Sequence, residues 1–217
     1  MANREQTVFV VDDDADVLDA MSLLLQSAGL TIQTFSSPKN FLAACSPDMR
    51  GCLILDIRMP DIDGLELQQH INDKNITLPL IFITGHGDVP SAVQAMKSGA
   101  LEFLQKPFGG QTLLDAVYRA MELNEQRYQA DVHNQIIRDR IASLTKRELE
   151  IMRRMVTGDM SKTIASDLHI SPRTVEIHRS KVMGKMQAQT LAQLVQMVLQ
   201  VDPEQPLSTS VRPAESP

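Results

Sequence analysis

The chain has 217 residues, 43% of them hydrophobic, which allows one or two domains with proper cores and excludes a chain that is disordered throughout. It has no run of about 18 apolar residues, which excludes a membrane span, and its start lacks signal-peptide features, so we expect a cytoplasmic protein. Residues 1–127 hold 9 Lys and Arg against 17 Asp and Glu, whereas residues 141–200 hold 9 against 5, which indicates an acidic domain and a basic domain facing a polyanion.

Five short apolar runs in the first half, each followed by a stretch of helical period, predict alternating strands and helices. The runs are residues 8–11, 30–35, 52–55, 80–83 and 101–104. Gly29 is a usual helix terminator, and Ser37 with Pro38 is a typical helix start. Because strands that alternate with helices form a parallel sheet covered on both faces, we predict a doubly wound α/β domain over residues 5–122.

Residues 111–144 contain neither Gly nor Pro, and their apolar positions become sparse beyond Met121. A flexible linker would be richer in Gly, Ser or Pro, so we predict a long helix that serves as a linker over residues 123–141. The end of the chain has four prolines and little apolar content, which predicts a disordered tail over residues 202–217.

Polar side chains follow four of the predicted strands at the point where each strand ends. They are Asp12, Asp13 and Asp14 after the first, Asp56 after the third, Thr84 after the fourth and Lys106 after the fifth. The carboxyl ends of parallel strands meet at one edge of the sheet, where ligands bind in such folds. We therefore expect three acids (Asp12, Asp13 and Asp56), a hydroxyl and an ammonium to lie together.

Two carboxylates about 4 Å apart repel each other by roughly 4 kcal/mol at an effective dielectric constant near 20. Lys106 offsets only part of this repulsion, so a hard divalent cation is expected, Mg²⁺ or alternatively Mn²⁺. Beside such a cation, Asp56 is suited to accept a phosphoryl group. The plainer interpretation is that Asp14 and Asp16 cap a helix, Lys106 lies on the surface and Thr84 is an ordinary strand residue.

The basic half predicts four helices, with Thr145 and Glu148 forming a capping box and Ser171 with Pro172 opening a basic helix. A short helix and a tight turn before that basic helix are typical of a helix-turn-helix packed through Ile164, Val175, Val182 and Met186. Its outer surface offers base or phosphate contacts from Arg173, Glu176, Arg179, Ser180 and Lys181, and phosphate contacts from Lys162, Thr163, Thr174, His178 and Lys185. The alternative is a charged four-helix bundle that binds protein or RNA.

The motifs VVDDD, LDIRMPDIDGLEL, FITGHGD and AMKSGALEFLQKPF resemble the receiver domain of two-component response regulators, and are most similar to the FixJ subgroup. This resemblance implies a (βα)5 receiver with a five-stranded parallel sheet in the order 2-1-3-4-5. It implies that a sensor histidine kinase phosphorylates Asp56 and that Lys106 pairs with the phosphoryl group. It also implies that Asp12, Asp13, Asp56 and the backbone carbonyl of Arg58 hold Mg²⁺.

In the same resemblance Thr84 moves to the phosphoryl group, Phe103 takes the place of the aromatic switch, and a cis peptide bond precedes Pro107. Phosphatases of the haloacid dehalogenase class use a similar set, but they need a second Asp two residues after the nucleophile. This chain has Arg58 there, so we do not expect an enzyme that turns over phosphate esters.

The motifs LTKRELEIM and GDMSKTIASDLHISPRTVEIHRSKVMGKM resemble the LuxR-type DNA-binding domain, here over residues 142–201, although Glu176 stands where the wider group has lysine. The two resemblances imply a NarL/FixJ-family transcriptional regulator that binds promoter DNA on phosphorylation, as an activator, with RNA polymerase as a further partner. Phosphorylation is expected to produce a homodimer. Leu191, Leu194, Val195 and Val198 are candidate dimer contacts and equally plausible core residues.

Overall fold

In a computed structural model of the chain, residues 6–85 and 89–202 are described, and the chain divides into two compact units between Tyr128 and Gln129. The first unit contains β1 (Thr7–Val11), α1 (Ala15–Ser27), β2 (Thr31–Phe35), α2 (Pro38–Ala44), β3 (Gly51–Asp56), α3 (Gly64–Asp73), β4 (Leu80–Thr84), α4 (Val89–Lys97) and β5 (Glu102–Gln105). Helix α5 (Gly110–Ala142) runs from the first unit into the second, which continues with α6 (Lys146–Val156), α7 (Ser161–Asp167), α8 (Pro172–Met186) and α9 (Leu191–Val201).

The strands of the first unit form one parallel sheet in the order β2-β1-β3-β4-β5, which confirms the predicted fold. In the centre of the sheet, β3 pairs Leu55 with Val11 of β1 on one side and Phe82 of β4 on the other. All six residues of β3 are buried, because helices cover both faces of the sheet. The continuous apolar run of this strand in the sequence reflects that burial.

Alternate residues of the strands point into two separate cores. On one face, Phe9, Leu53 and Phe82 pack with Phe41 of α2 and Leu67 of α3. The other face is formed by strand residues that pack under α1 and the first part of α5, namely Val8, Val10, Cys52, Ile54, Ile81 and Ile83. Because successive side chains of a strand point to opposite faces of the sheet, the same strands contribute to both cores.

Several helix ends form as the sequence predicts. The Ser37 hydroxyl accepts a hydrogen bond from the backbone N–H of Asn40 (3.2 Å), with Pro38 as the first residue of α2. Helix α1 is followed by Gly29 at φ +76°. In the second unit, Thr145 and Glu148 form the predicted capping box of α6, in which each side chain accepts from the other residue's backbone N–H.

Helix α5 makes anchoring contacts in each of the two units. In the first unit, the buried Asn124 side chain accepts a hydrogen bond from the N–H of Gly51 (2.9 Å), and the Arg50 guanidinium lies 3.8 Å from the centre of the Tyr128 ring. In the second unit, Ile137 is completely buried in the helical core. Residues 123–141, which the sequence predicts as a helical linker, are helical throughout and contribute to both units.

The second unit packs its helices around one apolar core. The predicted core residues of the helix-turn-helix, Ile164, Val175, Val182 and Met186, are all buried there. Leu194 and Val198 of α9 are buried in the same core, so the core alternative is correct for these two candidate dimer residues. Leu191 remains 39% exposed and Val195 half-buried.

No helix within residues 6–85 and 89–202 combines the length and the apolar character needed to cross a bilayer. The predicted tail of residues 202–217 lies outside the described residues, except for Asp202.

Candidate functional site

The predicted strand-end cluster assembles around Lys106. Asp56 is the last residue of β3, Thr84 is the last residue of β4, and Asp12 directly follows β1. The Lys106 ammonium nitrogen lies 2.8 Å from Oδ2 of Asp12 and 3.0 Å from Oδ1 of Asp56. The sheet thus brings together four residues that are far apart in the sequence, as expected for the carboxyl edge of a doubly wound fold.

Burial governs the charge state of this cluster. Burial raises the pKa of Asp56, and the hydrogen bond and the positive charge of Lys106 offset only part of the rise. For Lys106, partial burial alone would lower the pKa, but its hydrogen bonds to Asp12 and Asp56 outweigh this effect and the pKa is raised. Lys106 therefore stays a cation while it faces two acids, one of which is easier to protonate than an exposed carboxyl.

Backbone N–H groups hold the two carboxylates in place. Asp12 accepts a hydrogen bond through Oδ1 from the N–H of Asp14 (2.9 Å), and Asp56 accepts through Oδ2 from the N–H of Arg58 (2.7 Å). Asp14 itself caps α1, because its side chain accepts from the N–H of Asp16 (2.9 Å), as the plainer interpretation of this residue predicts. In each of the two carboxylates, one oxygen thus accepts a hydrogen bond from a backbone N–H and the other accepts from Lys106.

The three predicted metal-binding carboxylates are not assembled as one group. Asp13 is exposed, and the described part of the chain contains no set of three or more His, Cys, Asp or Glu side chains placed to hold a metal ion. The Lys106 ammonium lies between Asp12 and Asp56 and neutralises them directly. The structure brings together two of the three predicted carboxylates.

The predicted switch residues lie on the neighbouring strands β4 and β5. Thr84 is buried at the end of β4, and its backbone carbonyl accepts from the N–H of Lys106 (2.8 Å). Phe103 of β5 is paired with Phe82 of β4 and is partly buried against the core. The peptide bond between Lys106 and Pro107 is cis, as the resemblance implies.

In the second unit, α7 and α8 form the predicted helix-turn-helix. The turn between them contains His169 in the left-handed conformation at φ +53°. Ser171 is the N-cap of α8, since its hydroxyl accepts a hydrogen bond from the N–H of Thr174 (3.1 Å). The buried residues Val175 and Val182 fix which side of α8 faces the core, so the opposite side faces solvent.

The predicted DNA contacts differ in their exposure. The exposed ones are Lys162, Thr163, Arg173, Glu176, Ser180, Lys181 and Lys185, whereas Thr174, His178 and Arg179 are half-buried. The Nδ1 atom of His178 is buried and has no hydrogen-bond partner among the described residues. Most of the predicted contacts therefore lie on the solvent side of α7 and α8.

Several of the predicted contacts are engaged within the domain. The Lys185 ammonium lies 2.6 Å from Oε2 of Glu148 and donates to the carbonyl of Ser143 (3.2 Å). The Glu176 carboxylate accepts a hydrogen bond from the Ser161 hydroxyl. Local charge patterns do not reveal such partners, because Lys185 and Glu148 are 37 positions apart in the sequence.

Sequence reasoning missed one exposed apolar side chain on α8. Ile177 is 51% exposed and lies four residues from both Arg173 and Lys181, on the same side of the helix. This spacing was the available signal, since an apolar residue between two cations on a solvent-facing stripe does not fit a core pattern. Such a side chain can contact the methyl group of thymine in a major groove.

Comparison with known proteins agrees with both units. Residues 8–118 match the family described as "Response regulator receiver domain", and residues 142–198 match "Bacterial regulatory proteins, luxR family". The chain is 44% identical over 197 residues to the transcriptional regulatory protein FixJ of Rhizobium meliloti strain 1021, covering 90% of this chain and 96% of FixJ. It is 42% identical over 193 residues to the transcriptional regulatory protein TdiR of Thauera aromatica, covering 89% of this chain and 85% of TdiR.

Solved structures give the same result. The low-resolution structure of the response regulator StyR has a TM-score of 0.81 and 43% identity, covering 90% of this chain and 98% of StyR. Full-length FixJ from B. japonicum has a TM-score of 0.57 and 39% identity, covering 92% of this chain and 98% of FixJ. The chain therefore belongs to the FixJ-like response regulators, transcriptional regulators in which a receiver domain is joined to a LuxR-type DNA-binding domain.

Proposed function

We propose that Asp56 accepts a phosphoryl group from a phosphohistidine of a sensor histidine kinase. The observation that carries this proposal is the Lys106 ammonium within 3.0 Å of the Asp56 carboxylate, at the carboxyl edge of the sheet. A carboxylate oxygen of Asp56 forms the new bond to phosphorus, and the bond between phosphorus and the histidine nitrogen breaks. Lys106 then pairs with the phosphoryl oxygens, and the Thr84 hydroxyl moves to donate to one of them.

The acidic residues at these strand ends, Asp12, Asp13 and Asp56, offer oxygen ligands, which suit a hard divalent cation. Asp12, Asp13 and Asp56, with the backbone carbonyl of Arg58, are the residues that would hold Mg²⁺ or Mn²⁺. When bound, the cation neutralises charge on the phosphoryl oxygens. For this, the exposed Asp13 side chain would have to turn toward Asp12 and Asp56, which Lys106 bridges.

Incubation of the full chain with radiolabelled acetyl phosphate and Mg²⁺ tests the nucleophile. Asp56→Asn is expected to abolish labelling, because the amide is a poor nucleophile at this position. Asp61→Asn is the matched control, since Asp61 is an exposed carboxylate in the following loop, paired with Lys39. Labelling of Asp56→Asn at the level of the control would refute the assignment.

We further propose that phosphorylation changes promoter binding by α7 and α8. Arg173, Arg179 and Lys181, with Glu176 and Ser180, would contact the bases or nearby phosphates. Phosphate contacts would come from Lys162, Thr163, Thr174 and His178. Lys185 is less suited to this role than the sequence predicts, because its ammonium is already paired with Glu148.

The coupling would be a population shift in which contacts of Thr84 with the phosphoryl group reorder the surface around residues 86–105. Of these residues, 86–88 lie outside the described ranges. A full switch from 1:99 to 99:1 needs about 5.5 kcal/mol of preference between the two states, so homodimer formation would contribute to it. The complex would activate transcription in the cytoplasm through RNA polymerase. The receiver boundary at residue 122 and the linker of residues 123–141 remain predictions.

The salt dependence of duplex DNA binding tests the proposed interface. Arg173→Ala and Lys181→Ala are each expected to weaken binding and to reduce the slope of log affinity against log salt by about 1. Arg153→Ala, which removes an exposed cation on α6, is the control and should leave the slope unchanged. Equal slopes for all three variants and for the wild type would argue against α8 as the DNA contact.

A further inference from the structure

Glu176 links the two helices of the helix-turn-helix. Its Oε1 atom accepts a hydrogen bond from the hydroxyl of Ser161, the first residue of α7. The same oxygen lies 3.9 Å from Nε of Arg179, one turn further along α8. A single oxygen of the Glu176 carboxylate therefore accepts from a neutral donor of α7 and lies near a cation of its own helix.

The contact with Glu176 is made by the Nε side of the Arg179 guanidinium. Arginine has five N–H donors in a planar fork, and the Nη1 and Nη2 groups together match the O6 and N7 acceptors of guanine. A carboxylate 3.9 Å from Nε favours orientations of the guanidinium in which this outer pair of nitrogens points away from the carboxylate. The Arg179 side chain is only 25% exposed, which further limits its conformations.

A carboxylate on a DNA-binding face is otherwise unfavourable, because it repels phosphates. The Glu176 side chain is 62% exposed on that face, so we expect an interaction that offsets its repulsion of phosphates. Reading the amino group of cytosine is one such interaction, and it would fall to Oε2, because Oε1 is the oxygen that faces Ser161 and Arg179. The observed hydrogen bond favours a role inside the protein.

We propose that Glu176 is a positioning residue which, together with Ser161, fixes Arg179 for the recognition of one guanine. The inference rests on the proposed DNA-binding function and deepens it. It adds Ser161 to the residues that determine specificity, and it gives Glu176 a positioning role that does not require direct cytosine recognition. Specificity at a single base pair would then depend on three residues.

Selection from randomised duplexes with the phosphorylated full chain gives the preferred base at each position. Arg179→Ala and Arg179→Lys are expected to lose the preference at one guanine by about fivefold to hundredfold, since both variants lack the fork. Glu176→Gln and Ser161→Ala are expected to lose about twofold to fivefold at that same base pair, the range typical of exposed ion pairs. Glu150→Gln removes a comparable ion pair with Arg147 on α6 and is the matched control, with no change expected.

A second measurement separates positioning from general stability. Glu176→Gln removes a negative charge, so its affinity for unrelated duplex DNA should rise while its preference at the guanine falls. Loss of preference at a different base pair from Arg179→Ala would show that Glu176 reads its own base and would overturn the proposal, as would unchanged specificity in Glu176→Gln. If the wild-type chain selects no motif while the control labelling of Asp56 succeeds, the DNA-binding function itself fails, and the inference fails with it.

Discussion

Two adjacent isoleucines of α5 test whether the end of this helix is an integral part of the second unit. Ile137 is 0% exposed and lies in the core with Ile151 and Val182, whereas Ile136 is 44% exposed. The two residues have the same side chain, the same helix and neighbouring positions. Ile137→Ala and Ile136→Ala therefore differ mainly in what each side chain packs against.

The expected effects differ by several kcal/mol. Truncation of a fully buried isoleucine to alanine lowers the free energy of unfolding by about 2–5 kcal/mol, because burial is lost and a cavity remains. The same truncation at an exposed position changes it by about 0.5 kcal/mol or less. With a urea dependence of about 1 kcal/mol per molar for a small domain, Ile137→Ala should lower the midpoint of the second unit by about 2 M or more.

Urea unfolding of the full chain can distinguish the two units by spectroscopy. The chain has no tryptophan, and its two tyrosines, Tyr118 and Tyr128, belong to the first unit. Tyrosine fluorescence therefore follows the first unit, while far-ultraviolet circular dichroism follows all helices. Ile137→Ala should move the dichroism transition of the second unit and leave the tyrosine midpoint in place. Equal midpoints for Ile136→Ala and Ile137→Ala would refute the packing argument.

Three further variants test other contacts. The paired Lys185 lowers the pKa of Glu148 to about 2, so this carboxylate adds stability above its unfolded pKa. That stability is lost as the pH falls from about 4.5 toward 2. The Lys185→Met variant should therefore lose less stability over this pH range, measured by thermal unfolding followed by circular dichroism. Asn124→Ala leaves the buried N–H of Gly51 without its acceptor and should lower the stability of the first unit by about 1–3 kcal/mol, measured by tyrosine fluorescence in urea. Gly51→Ala should cost about 3 kcal/mol or more in the same assay, because the added Cβ would lie 1.9 Å from the carbonyl oxygen of Thr7 at φ +122°.

The sequence predicted the parts of the fold that depend on local patterns. The five strands follow from short apolar runs bounded by turn residues, and the start of α8 follows from Ser171 and Pro172. The burial of every residue in β3 follows from a run in which no polar residue alternates with the apolar ones. Each of these signals lies within one element, so a single sequence is sufficient to read it.

The sequence did not reveal contacts between residues that are distant in the chain. The capping box of Thr145 and Glu148 could be predicted because its members are three residues apart, but the third member, Lys185, belongs to another helix. Nor could the sequence determine that Lys106 lies between Asp12 and Asp56 while Asp13 remains exposed. Such choices depend on side-chain geometry across the sheet edge, where several arrangements satisfy the same residue pattern.

This distinction changes how the charge of the basic half is interpreted. Of its nine cations, Lys185 pairs with Glu148, Arg147 with Glu150, and Arg154 with both Asp159 and Asp167. Arg179 lies near Glu176. Among the described residues, Lys162, Arg173 and Lys181 of α7 and α8 have no ion pair and are exposed, as are Lys146 and Arg153 of α6. The positive charge available to DNA therefore depends on which cations are unpaired and on where they lie, and the net charge of the domain is a poor measure of it.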